Sequence, residues 1–206
     1  GVGNGSPWNR RLRSPGGGDN LFLASIVALR PATGEYVWHY QVVPAETWDF
    51  TATQHMILAD IDWQGSRRKV LMQAPKSGFF IILDRETGEF LSAEPFAEIT
   101  WASHYDPITG RPVENPGEDY AEGSVTVQPA SVGAHNWQPM AYDPETGLVF
   151  IPAIESRFTY KGFDTLTVEK GLRNLGVDRR DNPPGDALFL SVLQKRLISG
   201  RLLAWD

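Results

Sequence analysis

Four polar side chains of this sequence stand in loops rich in aromatic residues, glycine or proline: Asn4, Asp49, Lys76 and Asn136. Asp49 lies between Trp48 and Phe50, and we therefore expect its carboxylate to be partly buried. A buried charge must find a metal ion, a countercharge or several hydrogen-bond donors. Taken singly, these residues also fit simpler roles, since Asp49 suits a structural turn and Lys76 a solvated surface.

The histidines, glycines and cysteines do not form another familiar site. The histidines have neither zinc-binding spacing nor a His-Glu-x-x-His pattern, which favours scattered structural or surface roles for His39, His55, His104 and His135. The glycine run 16–18 is not followed by Lys-Ser or Lys-Thr, as a phosphate loop requires. Because the sequence has 0 Cys, this stretch holds no disulfide, thiolate zinc site or cysteine nucleophile.

The composition favours an all-β globular protein. The 206 residues are 41% hydrophobic and 21% charged, and they include 20 Gly, 15 Pro and 7 Trp, which suits many turns and bulky side chains between sheets. A net charge of −6 gives no electrostatic reason to bind nucleic acid or an anionic membrane. The apolar run 79–83 is far below the roughly 20 residues of a membrane helix. We expect no nucleic-acid partner and no membrane span.

Short apolar and aromatic runs separated by turn residues predict strands rather than helices. The predicted strands are 21–29, 36–40, 55–61, 69–73, 79–83 and 148–154. A less regular stretch, 155–199, is interpreted as an insertion between strands. Within it, 165–177 is compatible with a short amphipathic helix and 179–185 with a loop.

An Asp-x-x-Thr-Gly turn recurs between predicted strands. Copies occur at 82–90 and 141–149, with a variant at 28–38 that has Arg in place of Asp and a weaker copy at 105–110. In such a turn Asp bonds nearby backbone amides and Gly adopts a positive φ. One copy alone would fit an ordinary hairpin, but repeats roughly 40 to 60 residues apart are typical of propeller blades.

Both ends of the sequence differ from natural termini. The start has no initiator Met and no signal pattern, and the last residues, 202–206, predict a strand entering a further copy of the turn. We therefore interpret residues 1–206 as an internal fragment that forms one partial propeller domain, with the insertion at 155–199.

Several long motifs, in order and at similar spacing, resemble the alcohol dehydrogenases that depend on pyrroloquinoline quinone (PQQ). They are GNGSPWN (3–9), RSPGGGDNL (13–21), SIVAL (25–29), VWHYQ (37–41), TWDFT (47–51), KVLMQAPK (69–76), WAS (101–103) and GAHNW (133–137). The branch most resembled is the quinohaemoprotein ethanol dehydrogenase group, because the methanol enzymes lack the SPGGGDN loop. The resemblance implies an eight-bladed β-propeller, of which this chain would supply about three to four blades.

The resemblance also implies roles for individual residues. In the family a Ca²⁺ ion beside the quinone is held by a Glu, an Asn and an Asp, and the last two match Asn4 and Asp49. Asp49 would also be the general base that accepts the hydroxyl proton of a primary alcohol while hydride passes to PQQ. Lys76 matches the family's cation at the quinone oxygens, and Asn136 and Trp137 match a loop close to the cofactor.

Thr51 bears on the choice of metal. Relatives that use lanthanides carry an additional Asp two positions beyond the catalytic Asp, whereas this chain has Thr51 there. The extra carboxylate of the lanthanide enzymes adds negative charge to the metal site. Because this chain has Thr51 in its place, we expect calcium rather than a lanthanide.

The resemblance places other parts of the enzyme outside this stretch, among them the third metal ligand, an adjacent-cysteine disulfide and the Trp that stacks on the quinone. It implies a periplasmic location, a small alcohol as substrate and a cytochrome c or haem domain as electron acceptor. Which alcohol is used, and whether a haem c domain follows, stay open. Because a partial propeller exposes strand edges, we expect no activity from residues 1–206 alone.

A non-catalytic propeller of the same repeat superfamily, serving as a scaffold, is the alternative. A scaffold would need only the repeated turns and would have no reason to keep the four polar loop residues together. The presence of all four favours the dehydrogenase.

Overall fold

The computed structural model describes residues 1–181 and 198–206, which form an antiparallel β structure with one short helix. The elements are α1 (Arg10–Arg13), β1 (Ser25–Leu29), β2 (Tyr36–Gln41), β3 (Met56–Trp63), β4 (Ser66–Gln73), β5 (Phe79–Asp84), β6 (Phe90–Pro95), β7 (Ala102–Tyr105), β8 (Pro112–Glu114), β9 (Ser124–Val127), β10 (Ala141–Tyr142), β11 (Val149–Ser156), β12 (Phe158–Lys161) and β13 (Ile198–Trp205). The predicted all-β class is confirmed. Among the described residues, no helix has the length and apolar character needed to cross a membrane.

The strands form small antiparallel sheets, as in successive blades of a propeller. The most complete is the four-stranded meander β3-β4-β5-β6, accompanied by the pairs β1-β2, β7-β8 and β9-β12 and by the three-stranded sheet β10-β11-β13. Four strands joined in sequence order are the usual content of one blade. The structure is therefore a partial β-propeller, as predicted.

Each of the six predicted strand runs overlaps an observed strand, and the run 21–29 is too long at its start. Its first residues form a turn, and only β1 is extended. The sequence did not reveal β7, β8, β9 and β12, which have three or four residues each and no clear alternation. Strands of that length carry too few residues for a recognisable period.

The recurring turn forms by local hydrogen bonds, as its sequence predicts. Asp106 Oδ1 accepts hydrogen bonds from the backbone N–H of Ile108 at 2.9 Å and of Thr109 at 2.7 Å. The backbone N–H of Gly110 then bonds the Asp106 carbonyl at 2.8 Å, with Gly110 at φ 65°. Hydrogen bonds from the Thr109 backbone and hydroxyl hold the pKa of Asp106 below its ordinary value. Asp84 and Asp143 make equivalent turns.

The aromatic residues between the sheets form the larger of two buried clusters. Trp48 lies 5.1 Å from Trp101 between ring centroids, and Phe79 lies 4.9 Å from Tyr105. All four side chains are at most 5% exposed. Trp48 belongs both to this cluster and to the loop that carries Asp49, so the cluster anchors that loop.

Gly88, in one of the recurring turns, lies against a tryptophan of the preceding sheet. A Cβ atom at Gly88 would lie 2.8 Å from ring carbons of Trp38 in β2, whereas a Cβ at Gly34 would meet no atom within 4 Å. The two glycines have similar backbone angles, with φ of 78° and 73°. Both positions favour glycine because of the positive φ, but at Gly88 the contact with Trp38 also leaves no room for a side chain.

Gly88→Ala is therefore expected to destabilise the full-length protein by about 2–4 kcal/mol, from the positive φ together with overpacking. The matched change Gly34→Ala has only the conformational penalty, about 1 kcal/mol. Differential scanning calorimetry of both variants checks the difference. Equal losses of Tm would show that contact with Trp38 does not restrict position 88.

The predicted helix at 165–177 is wrong, because this segment has turns and irregular backbone. Gly171 and Gly176 adopt φ of 85° and 71°, which a right-handed helix does not allow. The backbone groups bond elsewhere, since the carbonyl of Leu175 accepts from the N–H of Trp8 at 2.7 Å. This contact holds the segment against the N-terminal residues.

The insertion predicted at 155–199 stays a prediction. Strands β11 and β13 overlap its first and last residues. β11 continues to Ser156, and β13 begins at Ile198 and pairs with β11 along its whole length. Between them, β12 pairs with β9. The predicted loop 179–185 is non-helical through residue 181, and its remaining residues lie outside the described part.

Candidate functional site

Three loops carry the polar residues that the sequence analysis selected. Asp49 lies in the long loop between β2 and β3, Lys76 in the turn between β4 and β5, and Asn136 in the loop between β9 and β10. The first two loops meet through their side chains. The third is joined to the second by a backbone hydrogen bond of 3.0 Å from Ala134 N–H to the Lys76 carbonyl.

Asp49 and Lys76 form an ion pair at the end of the sheets. Lys76 Nζ lies 3.0 Å from Asp49 Oδ2 and donates a second hydrogen bond, also 3.0 Å, to the Asp49 carbonyl. The side chain of Asp49 is 24% exposed and that of Lys76 is 11% exposed, so the pair is mostly buried but still reaches solvent. Burial raises the pKa of Asp49, and the charge and hydrogen bond of Lys76 oppose that rise. A second cation beside the carboxylate would further favour the ionised form.

Asp49 adopts a left-handed backbone conformation, with φ 67°. Asp is one of the few residue types that tolerate this region, and such residues are concentrated at functional sites. The loop around it is fixed by buried side chains from other elements. Tyr160 Oη donates to the Trp48 carbonyl at 2.7 Å, and Trp48 Nε1 donates to the Glu118 carbonyl at 2.8 Å.

Lys76 is held in place by its contact with Gly133. A Cβ at Gly133 would lie 2.4 Å from Lys76 Cγ and 2.7 Å from its Cα, and Gly133 has φ 86°. The stem of the lysine therefore lies directly on a glycine backbone, which directs its ammonium group towards Asp49. Any side chain at position 133 would displace one of the two loops.

The structure places Asn136 and Trp137 in the loop that adjoins Lys76. Asn136 is buried, and its Nδ2 donates to the Val132 carbonyl at 2.8 Å. The Trp137 side chain is 84% exposed. Neither shares a hydrogen bond with Asp49 or Lys76 within residues 1–181 and 198–206.

Glu46 is a member of this site to which the sequence analysis gave no role. Its side chain is fully buried, and Oε1 accepts from the backbone N–H of Trp48 at 2.5 Å and of Phe50 at 2.6 Å. Asn4 Nδ2 donates to the other oxygen, Oε2. The available signal was a second acidic residue, three positions before Asp49 in the same aromatic loop.

Burial and hydrogen bonding have opposite effects on the charge of Glu46. Burial raises the pKa of Glu46 to about 8, and the charge of Asp49 adds to that rise, whereas the backbone donors Phe50 and Trp48 and the charge of Arg13 favour the carboxylate. Three N–H groups donate to its two oxygens. Glu46 thus links Asn4 to the loop that carries Asp49.

The predicted metal ligands provide two oxygen donors in the same region. Asn4 uses its nitrogen on Glu46, and its Oδ1 accepts only the Gly5 N–H, at 2.8 Å, among the described residues. The hydrogen bond from Lys76 to the Asp49 carboxylate reaches Oδ2 and not Oδ1. In the described part of the chain, no three or more His, Cys, Asp or Glu side chains are arranged so that they could hold a metal ion by themselves. One amide and one carboxylate fit part of a Ca²⁺ shell, which needs about six to eight oxygens.

Comparison with known proteins relates this arrangement to a family. Residues 8–98 match the family described as "Glucose/ethanol/alcohol dehydrogenase, beta-propeller domain". The chain is 54% identical over its full length to the quinohemoprotein alcohol dehydrogenase of Comamonas testosteroni, and 50% identical to the quinohemoprotein alcohol dehydrogenase ADH IIB of Pseudomonas putida. It spans 29% of the length of each of these relatives.

A solved structure shows the same fold over nearly the whole chain. The quinohemoprotein alcohol dehydrogenase ADHIIG of Pseudomonas putida matches with a TM-score of 0.88 and 46% identity, covering 99% of this chain and 30% of that one. The fold described above is therefore similar to that of a quinohemoprotein over this part of its chain.

Proposed function

Because the chain belongs to the PQQ-dependent alcohol dehydrogenase family, we propose that its full-length protein oxidises a primary alcohol to an aldehyde. The observation that carries the proposal is the mostly buried pair of Asp49 and Lys76, 3.0 Å apart. At one accessible site, a carboxylate can accept a proton while an ammonium group stabilises the negative charge that develops.

Asp49 is the proposed general base. Its carboxylate would accept the hydroxyl proton of the alcohol, and the rigid loop around it would keep the oxygen in place for that transfer. Lys76 would hold a fixed positive charge where negative charge develops, which lowers the barrier without reorganisation. When bound, PQQ would take the hydride from the carbinol carbon and Ca²⁺ would act on it as a Lewis acid.

Asn4 and Asp49 are the proposed calcium ligands of this chain, and Thr51 supports calcium over a lanthanide because it adds no charge. Asn136 and Trp137 are proposed to contact the cofactor. The support for this role is that their loop packs on Lys76 through Gly133, and that the exposed Trp137 ring is available for contact with a further group.

We propose that the electrons pass to a cytochrome c or a haem domain, and that the protein is located in the periplasm. The word quinohemoprotein in the names of the relatives supports a haem acceptor. The same names support an alcohol as the substrate, and we propose a small one.

Reconstitution of the full-length protein with PQQ and Ca²⁺ tests the proposal. We expect alcohol-dependent reduction of an artificial dye that requires both additions. Binding of PQQ without alcohol oxidation would contradict the proposed reaction, and failure to bind PQQ at all would favour the scaffold.

A further inference from the structure

The carboxylate of Glu46 contacts both halves of the proposed metal site. Oε1 accepts the backbone N–H groups that precede and follow Asp49, those of Trp48 at 2.5 Å and Phe50 at 2.6 Å. Oε2 accepts Nδ2 of Asn4, which is 42 residues away in sequence. The side chain is 0% exposed, so no water competes for these positions.

The contacts of Oε1 determine how Asp49 is presented. Two N–H groups that converge on one oxygen hold the chain in a tight turn, with Asp49 at its tip and at φ 67°. The carbonyl of Glu46 is also fixed, because it accepts a hydrogen bond from Arg13 Nη2. The position of the Asp49 carboxylate therefore depends on an acceptor at the Oε1 position.

The contact of Oε2 determines which end of the Asn4 amide faces the cation. Oε2 accepts from Nδ2 of Asn4, so the amide faces Glu46 with its NH₂ group and not with its oxygen. The amide oxygen is then directed to the opposite side, and oxygen is the ligand that calcium binds. The oxygen and the NH₂ group of an amide are nearly the same in shape. Only a hydrogen-bond partner such as Oε2 therefore determines which of them faces Glu46.

We propose that Glu46 is a positioning residue that orients the oxygen of Asn4 and the carboxylate of Asp49 towards one divalent cation. It does not touch the cation and acts only through the two ligands. This inference rests on the proposed function, since it concerns the metal site of that reaction.

Glu46→Gln tests the inference with little change in shape. The new amide oxygen still accepts the two backbone N–H groups, but the new NH₂ group faces the NH₂ group of Asn4. Asn4 must then rotate and turn nitrogen towards the cation. We expect the affinity for Ca²⁺ to fall about 10- to 100-fold, as on loss of other groups that orient metal ligands. Calorimetric titration of the metal-depleted full-length protein with Ca²⁺, in the presence of PQQ, measures it.

A second substitution separates orientation from simple loop stability. In the double variant Asn4→Asp/Glu46→Gln, the new NH₂ group donates to one oxygen of the new carboxylate and leaves the other for the cation. We expect this variant to bind Ca²⁺ more tightly than either single variant. Asn4→Asp alone places two carboxylates face to face, so it should bind Ca²⁺ more weakly than the double variant although it adds a charged ligand.

The outcomes distinguish the inference from the function on which it rests. If the parent neither binds Ca²⁺ nor oxidises alcohol, the proposed function fails, whatever the variants do. If the parent is active and Glu46→Gln binds Ca²⁺ as tightly as the parent, Glu46 does not orient the ligands. If Glu46→Gln does not fold, the comparison of Asn4→Asp with the double variant tests the inference instead. A double variant that binds Ca²⁺ no more tightly than Asn4→Asp would also overturn the inference.

Discussion

Asp49→Asn in the full-length protein is expected to lower kcat for alcohol-dependent dye reduction by about 10²- to 10⁴-fold, the usual effect of losing a general base. The amide keeps the size of the side chain and an oxygen for the cation, but it cannot accept the hydroxyl proton. Steady-state kinetics with Ca²⁺ and PQQ at saturation measure the loss, and the absorbance of bound PQQ shows that the site is loaded.

Asp143→Asn is the matched control. Asp143 is a partly exposed carboxylate in one of the recurring turns and accepts hydrogen bonds from Glu145 and Thr146. Its replacement should leave kcat unchanged. If Asp49→Asn retained the kcat of the parent while fully loaded, Asp49 would not be the base.

Lys76→Met is expected to lower kcat by about 10²- to 10³-fold, comparable to removing one donor from a site that stabilises developing negative charge. The unbranched Met can still lie on Gly133, so the loss is of charge and hydrogen bonds rather than of packing. Because the effect falls on the reacting state, kcat should fall by a larger factor than KM changes.

Lys69→Met provides the comparison for that experiment. Lys69 Nζ lies 2.8 Å from Glu86 in an ion pair whose side chains are 49% and 62% exposed. Exposed pairs contribute about 0–1 kcal/mol to stability, and kcat should not change. An equal kcat in Lys76→Met and Lys69→Met would place the Lys76 charge outside the reaction.

The features that were predictable from sequence depend on short-range interactions. The turn at Asp106 is determined by hydrogen bonds within four residues and by a glycine at φ 65°. The strands β3 to β5 form one meander whose apolar residues are continuous enough to recognise. These elements, with the repeated turns, were sufficient to indicate a propeller.

The features that were not predictable depend on distant contacts. Glu46 acquires its role only when Asn4 folds against it from 42 positions away. The segment 165–177 has a pattern compatible with a helix, but the carbonyl of Leu175 bonds Trp8 instead. Neither partner can be identified from the local sequence. The motifs of the family were therefore needed to select Asn4, Asp49 and Lys76 together.

The most direct test of the account is the crystal structure of the full-length protein with PQQ and Ca²⁺. The account predicts one cation at about 2.3–2.6 Å from Oδ1 of Asn4 and from the carboxylate of Asp49. Lys76 Nζ would remain within hydrogen-bonding distance of the quinone or of Asp49. A cation bound elsewhere, with Asn4 presenting nitrogen to the site, would contradict it.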